Sequence, residues 1–318
     1  MEKKYYIAAD GGGSKLHAIL YDESYNVIKS LKLSGTNFNF MPKEVVRSNF
    51  KSVLDAFLSD EVRKIERMDL CIVSEEAFIR EIISEYNLTC EIVFHKESPS
   101  SIAAALMSSA TTALSGTGSG SAHVKNGERM AGIGGWGPLL GDEGSGYDIG
   151  LQALKAAIYS NDGRGEKTVL EELVRNKYKL ERYFSLVHIM IASENSRAEI
   201  ASCATLAAEA ARSGDKVAIE IYKRAAYSVF IAFKTVCEKY PEYFTGNVVA
   251  IGGAWKGYDG MFEHFCELVH SIYPDAIITK PIYEAVVGPV VRRLFEEGLN
   301  RDEIQKKIAN GFSSLLYK

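Results

Sequence analysis

The chain has 318 residues, 47% hydrophobic and 25% charged, a globular mix with room for one large core or two ordinary ones. Its formal net charge of -4 excludes the basic field that would hold nucleic acid or an anionic membrane surface. Five scattered cysteines, Cys71, Cys90, Cys203, Cys237 and Cys266, form no CxxC pair, so neither a disulfide framework nor a thiolate metal site is signalled.

Met1-Glu2-Lys3-Lys4 is followed by an apolar stretch that stops at Asp10, too short for a signal peptide. No run reaches membrane-spanning length, and the cytoplasm is the expected compartment. The stretch itself, Tyr5 to Ala9, reads as a strand, and Asp10-Gly11-Gly12-Gly13-Ser14-Lys15 as the turn after it. Strands over Leu16–Tyr21 and Val27–Leu33 complete an antiparallel meander, unlike the immediate strand-to-helix step of a dinucleotide fold. Lys43–Leu58 predicts a helix, Met68–Val73 a strand, Ala77–Tyr86 a helix and Glu91–Phe94 a strand. Pro99 marks a helix start ahead of an Ala-rich run over Ser101–Met107.

Near residue 110 the pattern restarts: a strand over Thr111–Leu114, the turn Ser115-Gly116-Thr117-Gly118-Ser119-Gly120, and a strand over Ser121–Lys125 ending in the hairpin signal Asn126-Gly127. One device used twice suggests two similar domains. Helices are predicted over Tyr147–Tyr159, Thr168–Lys177, Glu199–Arg212 and Val217–Tyr240. A strand over Val248–Ile251 runs into Gly252-Gly253. Then come a helix over Gly260–Tyr273, a strand over Ala276–Thr279, and helices over Val286–Glu297 and Asp302–Leu315, with Asp302 as the cap of the last.

Several clusters could carry chemistry. Asp10 ends a strand beside glycine amides that can approach phosphate closely, so it could hold Mg²⁺ through water while Ser14 and Lys15 add donors. A glycine-rich hairpin with a capping aspartate explains the same residues. In the second turn, small hydroxyls alternating with glycines can present several donors to one phosphate. Its spacing does not match G-x-G-x-x-G, and no Walker A is present. Gly134-Gly135-Trp136-Gly137 and Gly141-Asp142-Glu143-Gly144-Ser145-Gly146 imply tight backbone with projecting side chains. Trp136 could lie flat on a sugar or anchor a core; Asp142 could accept from sugar hydroxyls or favour a helix start. Gly252-Gly253-Ala254 could let adenine lie against the backbone, and Ser34-Gly35-Thr36-Asn37 could offer Asn37 to a sugar. The six histidines show no ligand spacing.

In this order, the pieces resemble the N-acetylglucosamine kinase and BadF/BadG-type ATPase group of the actin, hsp70 and hexokinase superfamily, over nearly the whole chain. Asp10 through Lys15 is similar to the group's first phosphate motif, Ser115 through Ser119 to its second, and Gly252-Gly253 stands where its adenosine motif would be. Gly134 through Ser145 resembles the stretch characteristic of N-acetylglucosamine kinases. The resemblance implies an α/β protein of two actin-like (ribonuclease H-like) domains with mixed five-stranded sheets and an interdomain cleft. The first domain would span 1–109 with a returning helix at 300–318, and the second 110–299.

It further implies ATP held by Gly11, Gly12, Gly13, Ser14, Lys15, Thr117, Gly118, Ser119, Gly252 and Gly253, with Mg²⁺ near Asp10. Asn37, Ser74, Gly135, Trp136 and Asp142 would contact the sugar. Glu97 stands ahead of Ser101-Ile102-Ala103 where the group has an aspartate, and would be the base, its arm longer by one methylene. The expected reaction is phosphorylation of an N-acetylated amino sugar, N-acetylglucosamine or N-acetylmuramic acid, at the 6-hydroxyl, by a homodimer. A BadF-type ATPase that energises a partner, or a sugar sensor with weak phosphoryl transfer, is the alternative. The former would need clustered cysteines for an iron–sulfur centre, and the bacterial glucokinase-type repressors a clustered-cysteine zinc motif; neither is found.

Overall fold

The computed structural model describes residues 3–38, 41–58, 64–193 and 195–317; Met1 and Glu2 of the charged start lie outside these. The elements are β1 (Tyr5–Gly11), β2 (Leu16–Asp22), β3 (Val27–Leu33), α1 (Lys43–Phe57), β4 (Ile65–Ile72), α2 (Glu76–Ser84), β5 (Glu91–Phe94) and α3 (Glu97–Ala103). Next come β6 (Ala110–Ser115), β7 (Ser119–Lys125), β8 (Glu128–Gly134), α4 (Gly146–Asp162), α5 (Leu170–Tyr178), α6 (Ser185–Ala192), α7 (Ser196–Ser202) and α8 (Ala204–Arg212). Last are α9 (Lys216–Lys239), β9 (Asn247–Ile251), α10 (Asp259–His270), β10 (Ile277–Thr279), α11 (Gly288–Glu296) and α12 (Arg301–Ile308). Two compact units result: Met1–Ser109 with Val124–Arg129 and Lys280–Lys318, and Ala110–His123 with Met130–Thr279. The return to the first unit thus begins at Lys280, ahead of the 300–318 read from sequence.

In the first unit the sheet order is β3-β2-β1-β4-β5, with β1 antiparallel to β2 and parallel to β4. Side chains alternate between faces along each strand. Ile7, Ala9, Ala18 and Leu20 pack with Val46, Phe50 and Leu54 of α1 and with Ile79, Ile82 and Ile83 of α2. Ala8, Ile19 and Tyr21 belong to a second core with Val290, Val291 and Leu294 of α11 and Ile304 and Ile308 of α12. That second core is why the return reaches back to Lys280: α11 supplies as much of it as α12. Cover on both faces also explains why β2 reads as a nearly unbroken apolar run.

The second unit orders its strands β10-β9-β6-β7-β8, with β9 parallel to both β6 and β10. Counted from the first strand of each unit, both sheets read 3-2-1-4-5. The repeated strand–glycine turn–strand device is the visible part of one repeated topology. The core gathers α4, α8, α9 and α10 around Phe233, Trp255 and Phe265. Trp255 is fully buried and its Nε1 donates to Ala113 O at 3.0 Å, so this tryptophan is the anchor.

Local differences from the sequence reading have physical causes. Helix α6 gives no sign of itself in the sequence, because Ser-Leu-Val-His-Ile-Met-Ile-Ala is too uniformly apolar to show a helical period. The helix expected over 199–212 breaks at Cys203, where Gly150 of α4 approaches so closely that a Cβ would stand 2.0 Å from Ile200 O. Helix α3 starts at Glu97 and takes Pro99 into its first turn, where an absent N–H costs no intrahelical bond. The cap of α12 is Asn300 in a capping box with Glu303, instead of Asp302. Among the described residues no helix is long and apolar enough to cross a membrane.

Candidate active site

On the first unit, the turn after β1 is built by its neighbours. Gly12 N donates to Lys15 O at 3.0 Å and closes the turn, Thr36 N donates to Gly12 O at 2.8 Å, and Val73 N to Gly11 O at 2.8 Å. The Ser34–Asn37 turn lies so close that a Cβ at Gly35 would stand 2.5 Å from Gly13 O. Nothing lies within 4 Å of a Cβ placed at Gly12, so that backbone faces open space. Asp10, Gly11–Lys15, Asn37 and Ser74 are thereby gathered at one end of the sheet. Thr36 Oγ1 and Ser74 Oγ are buried there with no hydrogen-bond partner, spare polar atoms at the edge of the open backbone.

Asp10 stands in register with Cys71 of β4. Desolvation pushes the Asp10 carboxyl up to about 6, partly offset by Lys15 and by the Cys71 thiol beside it, and the carboxylates of Glu97 and Glu284 add to the rise. A divalent cation would relieve that crowding of negative charge. A single carboxylate beside the open Gly12 backbone would suit Mg²⁺ held largely by water and phosphate. Glu97, the first residue of α3, is raised by desolvation and lowered by Arg129; it keeps exposed surface, so water tempers that push.

On the second unit, the turn Gly116–Ser119 is stitched to both acidic and glycine segments. Gly116 N donates to Gly118 O at 2.9 Å, Gly135 N to Ser119 O at 2.9 Å and Gly146 N to Gly116 O at 2.7 Å. Ser119 Oγ donates to Glu143 O at 2.7 Å, and Ser115 Oγ to Gly144 O at 2.6 Å. Gly252, at φ +111°, passes so near that a Cβ would stand 2.2 Å from Ser115 O, while a Cβ at Gly253 would meet nothing. Thr117, Gly118, Ser119, Gly252 and Gly253 are therefore one surface.

Asp142 belongs to that surface. It is 4% exposed with φ +62°, accepts from Ser119 N at 3.2 Å, and pairs with Arg197 Nη2 at 3.3 Å. Trp136 behaves differently, at 75% exposed, with Leu139 and Leu140 similarly bare. Gly135 and Gly137 at positive φ hold it out on an open turn. Sequence reasoning missed Arg197, a lone arginine in no motif, and the place of Cys71 beside Asp10, which only strand register brings together.

The family model described as the BadF/BadG/BcrA/BcrD ATPase family matches residues 9–291. The chain belongs to this family. It is 30% identical to the N-acetylmuramic acid/N-acetylglucosamine kinase of Clostridium acetobutylicum, over 91% of this chain and 97% of that one. The N-acetyl-D-glucosamine kinase of Dictyostelium discoideum is 24% identical over 92% of this chain and 99% of its own. A candidate N-acetylglucosamine kinase of Porphyromonas gingivalis superimposes with TM-score 0.68 at 15% identity, covering 92% of this chain and 100% of that chain. A ROK family glucokinase of Streptomyces griseus, solved with glucose and AMPPNP, gives 0.58 at 12% identity, covering 91% and 97%. The family thus shares the fold of sugar kinases of the actin-like class.

Proposed function

We propose that this chain is an ATP-dependent kinase that transfers the γ-phosphoryl group to an amino sugar, N-acetylglucosamine or N-acetylmuramic acid, at the 6-hydroxyl. The observation that carries the reading is the grouping of Asp10, the open Gly12 backbone and the Glu97 carboxylate, in a chain whose curated relatives are amino-sugar kinases. Amides of Gly11–Gly13 and of Thr117–Ser119, with Ser14 and Lys15, would hold phosphates, and Gly252-Gly253 the adenosine. Asp10 would hold Mg²⁺ through water, and the ion would neutralise phosphate charge. Asn37, Ser74, Gly135 and Trp136 would take the sugar. Asp142 would brace the second turn as well as meet sugar hydroxyls, since its carboxylate already accepts from Ser119 N. Glu97 would accept the hydroxyl proton, its raised pKa suiting a base that must hold a proton as oxygen attacks. Such transfer needs positioning and charge neutralisation more than covalent chemistry.

ADP release against a panel of amino sugars, with the product's phosphate placed by NMR, tests this reading. Sugar-dependent turnover is expected, with Glu97→Gln slower by roughly 100- to 10,000-fold. ATP hydrolysis indifferent to every sugar would point instead to an ATPase serving a protein partner. The reading includes a cytoplasmic homodimer, which light scattering would test.

A further inference from the structure

We infer that His95 and Asp69 form a buried clamp that positions Glu97 for catalysis; this rests on Glu97 being the base. Asp69 on β4 is 0% exposed. Its Oδ1 accepts from His95 Nε2 at 2.9 Å and from Arg67 Nε at 2.9 Å, while Arg293 Nη1 of α11 lies 3.5 Å from Oδ2. An ionised carboxylate only accepts, so the His95 proton facing it is on Nε2. The His95 side chain is only 2% exposed, and its backbone amide donates to Leu70 O at 2.7 Å. His95 is therefore pinned to β4 by main chain and ring together, two residues before Glu97.

A second fixed point lies beyond Glu97. Ser100 N donates to Lys96 O at 3.1 Å, and Gly288 presses on Ser100 so closely that a Cβ would stand 2.1 Å from its carbonyl oxygen. The ion pair of Lys96 and Glu128 is exposed on both sides and screened by water, so it does not set the position. Strand β5 is four residues long and, among the described residues, lies at the edge of the sheet beside β4. Without the His95 ring, the buried hold of β4 on the link into α3 falls to the His95 main-chain bond. A displacement of roughly 1 Å at a reacting group can cost on the order of 100-fold in rate.

His95→Ala leaves Asp69 its two arginines, so the buried carboxylate stays compensated. The expected result in the ADP-release assay with N-acetylglucosamine is a kcat lower by roughly 10- to 100-fold with KM for sugar and ATP little changed. His95→Gln places an amide N–H where Nε2 was and should recover most of the rate. His95→Asn cannot reach, and should behave like alanine; this pair decides the matter if His95→Ala does not fold. Because the clamp acts through Glu97, adding His95→Ala to Glu97→Gln should cost nothing further. Independent, multiplying losses, a glutamine no better than asparagine, or KM rising in step with the fall in kcat would overturn the clamp while leaving the base in place. A Glu97→Gln enzyme at the parent rate would overturn both.

Discussion

Replacing Asp10 by asparagine should stabilise the ligand-free protein while abolishing turnover. The Asp10 carboxyl is lifted from 3.8 to about 6, mainly by desolvation. A tenfold change in proton affinity is worth about 1.36 kcal/mol, so the charged form costs the folded state about 3 kcal/mol, reduced to about 2 kcal/mol because some of its surface meets water. The unfolded chain gives up this proton near pH 4 and the folded chain near 6. Stability is therefore lost as pH rises through that window, and the whole cost is present above it. Asparagine does not titrate, so its advantage should be near zero at pH 4 and about 4–8 °C in Tm at pH 7.5, at roughly 2–4 °C per kcal/mol. Calorimetry in chelator at both pH values measures this. Adding Mg²⁺ and nucleotide should narrow the gap, because only the parent retains the carboxylate. A variant less stable than the parent at pH 7.5, or an equal gain at both pH values, would refute the electrostatic account of Asp10.

Gly35→Ala must push the Ser34–Asn37 turn off Gly13 O, 2.5 Å from the new Cβ. Overpacking of this kind costs about 1–3 kcal/mol, and KM for ATP should rise more than KM for sugar. Trp136→Ala should leave Tm unchanged, since the side chain is 75% exposed, while raising sugar KM about fivefold, as loss of one stacking aromatic of about 1 kcal/mol would. Asp142→Ala strips the Ser119 amide of its acceptor and Arg197 of an ion-pair partner, both largely buried. It should lower Tm, by an amount equivalent to about 1–3 kcal/mol, and raise KM for both substrates.

The glycine turns were legible because glycine runs at strand ends leave few other uses for the backbone, and the structure gives Gly35 and Gly252 concrete steric reasons while leaving the backbone at Gly12 and Gly253 open. The doubled meander was legible for the same reason. Long-range partnerships were not. Asp69 reads as one acid in an apolar strand, and only the parallel register of β4 with β5 brings it to His95. Trp136 and Trp255 both come within two residues after a glycine pair, so local sequence alone does not assign one to an open turn and the other to the core. Arg197 is two residues into α7 with nothing nearby to mark it, yet it reaches Asp142, distant in the chain.

The first unit is assembled from both ends of the described chain. Ala8, Ile19 and Tyr21 are made before the second unit, while the Val290, Val291, Leu294, Ile304 and Ile308 that cover them are made after it. A ribosome therefore releases most of the second unit, which runs on from Met130 to Thr279, before the opening sheet has its second layer. Until then that sheet has a bare apolar face, the condition in which growing chains recruit chaperones. Stalled chains ending at Thr279 should accordingly resist protease across the later unit and be cut within the earlier one.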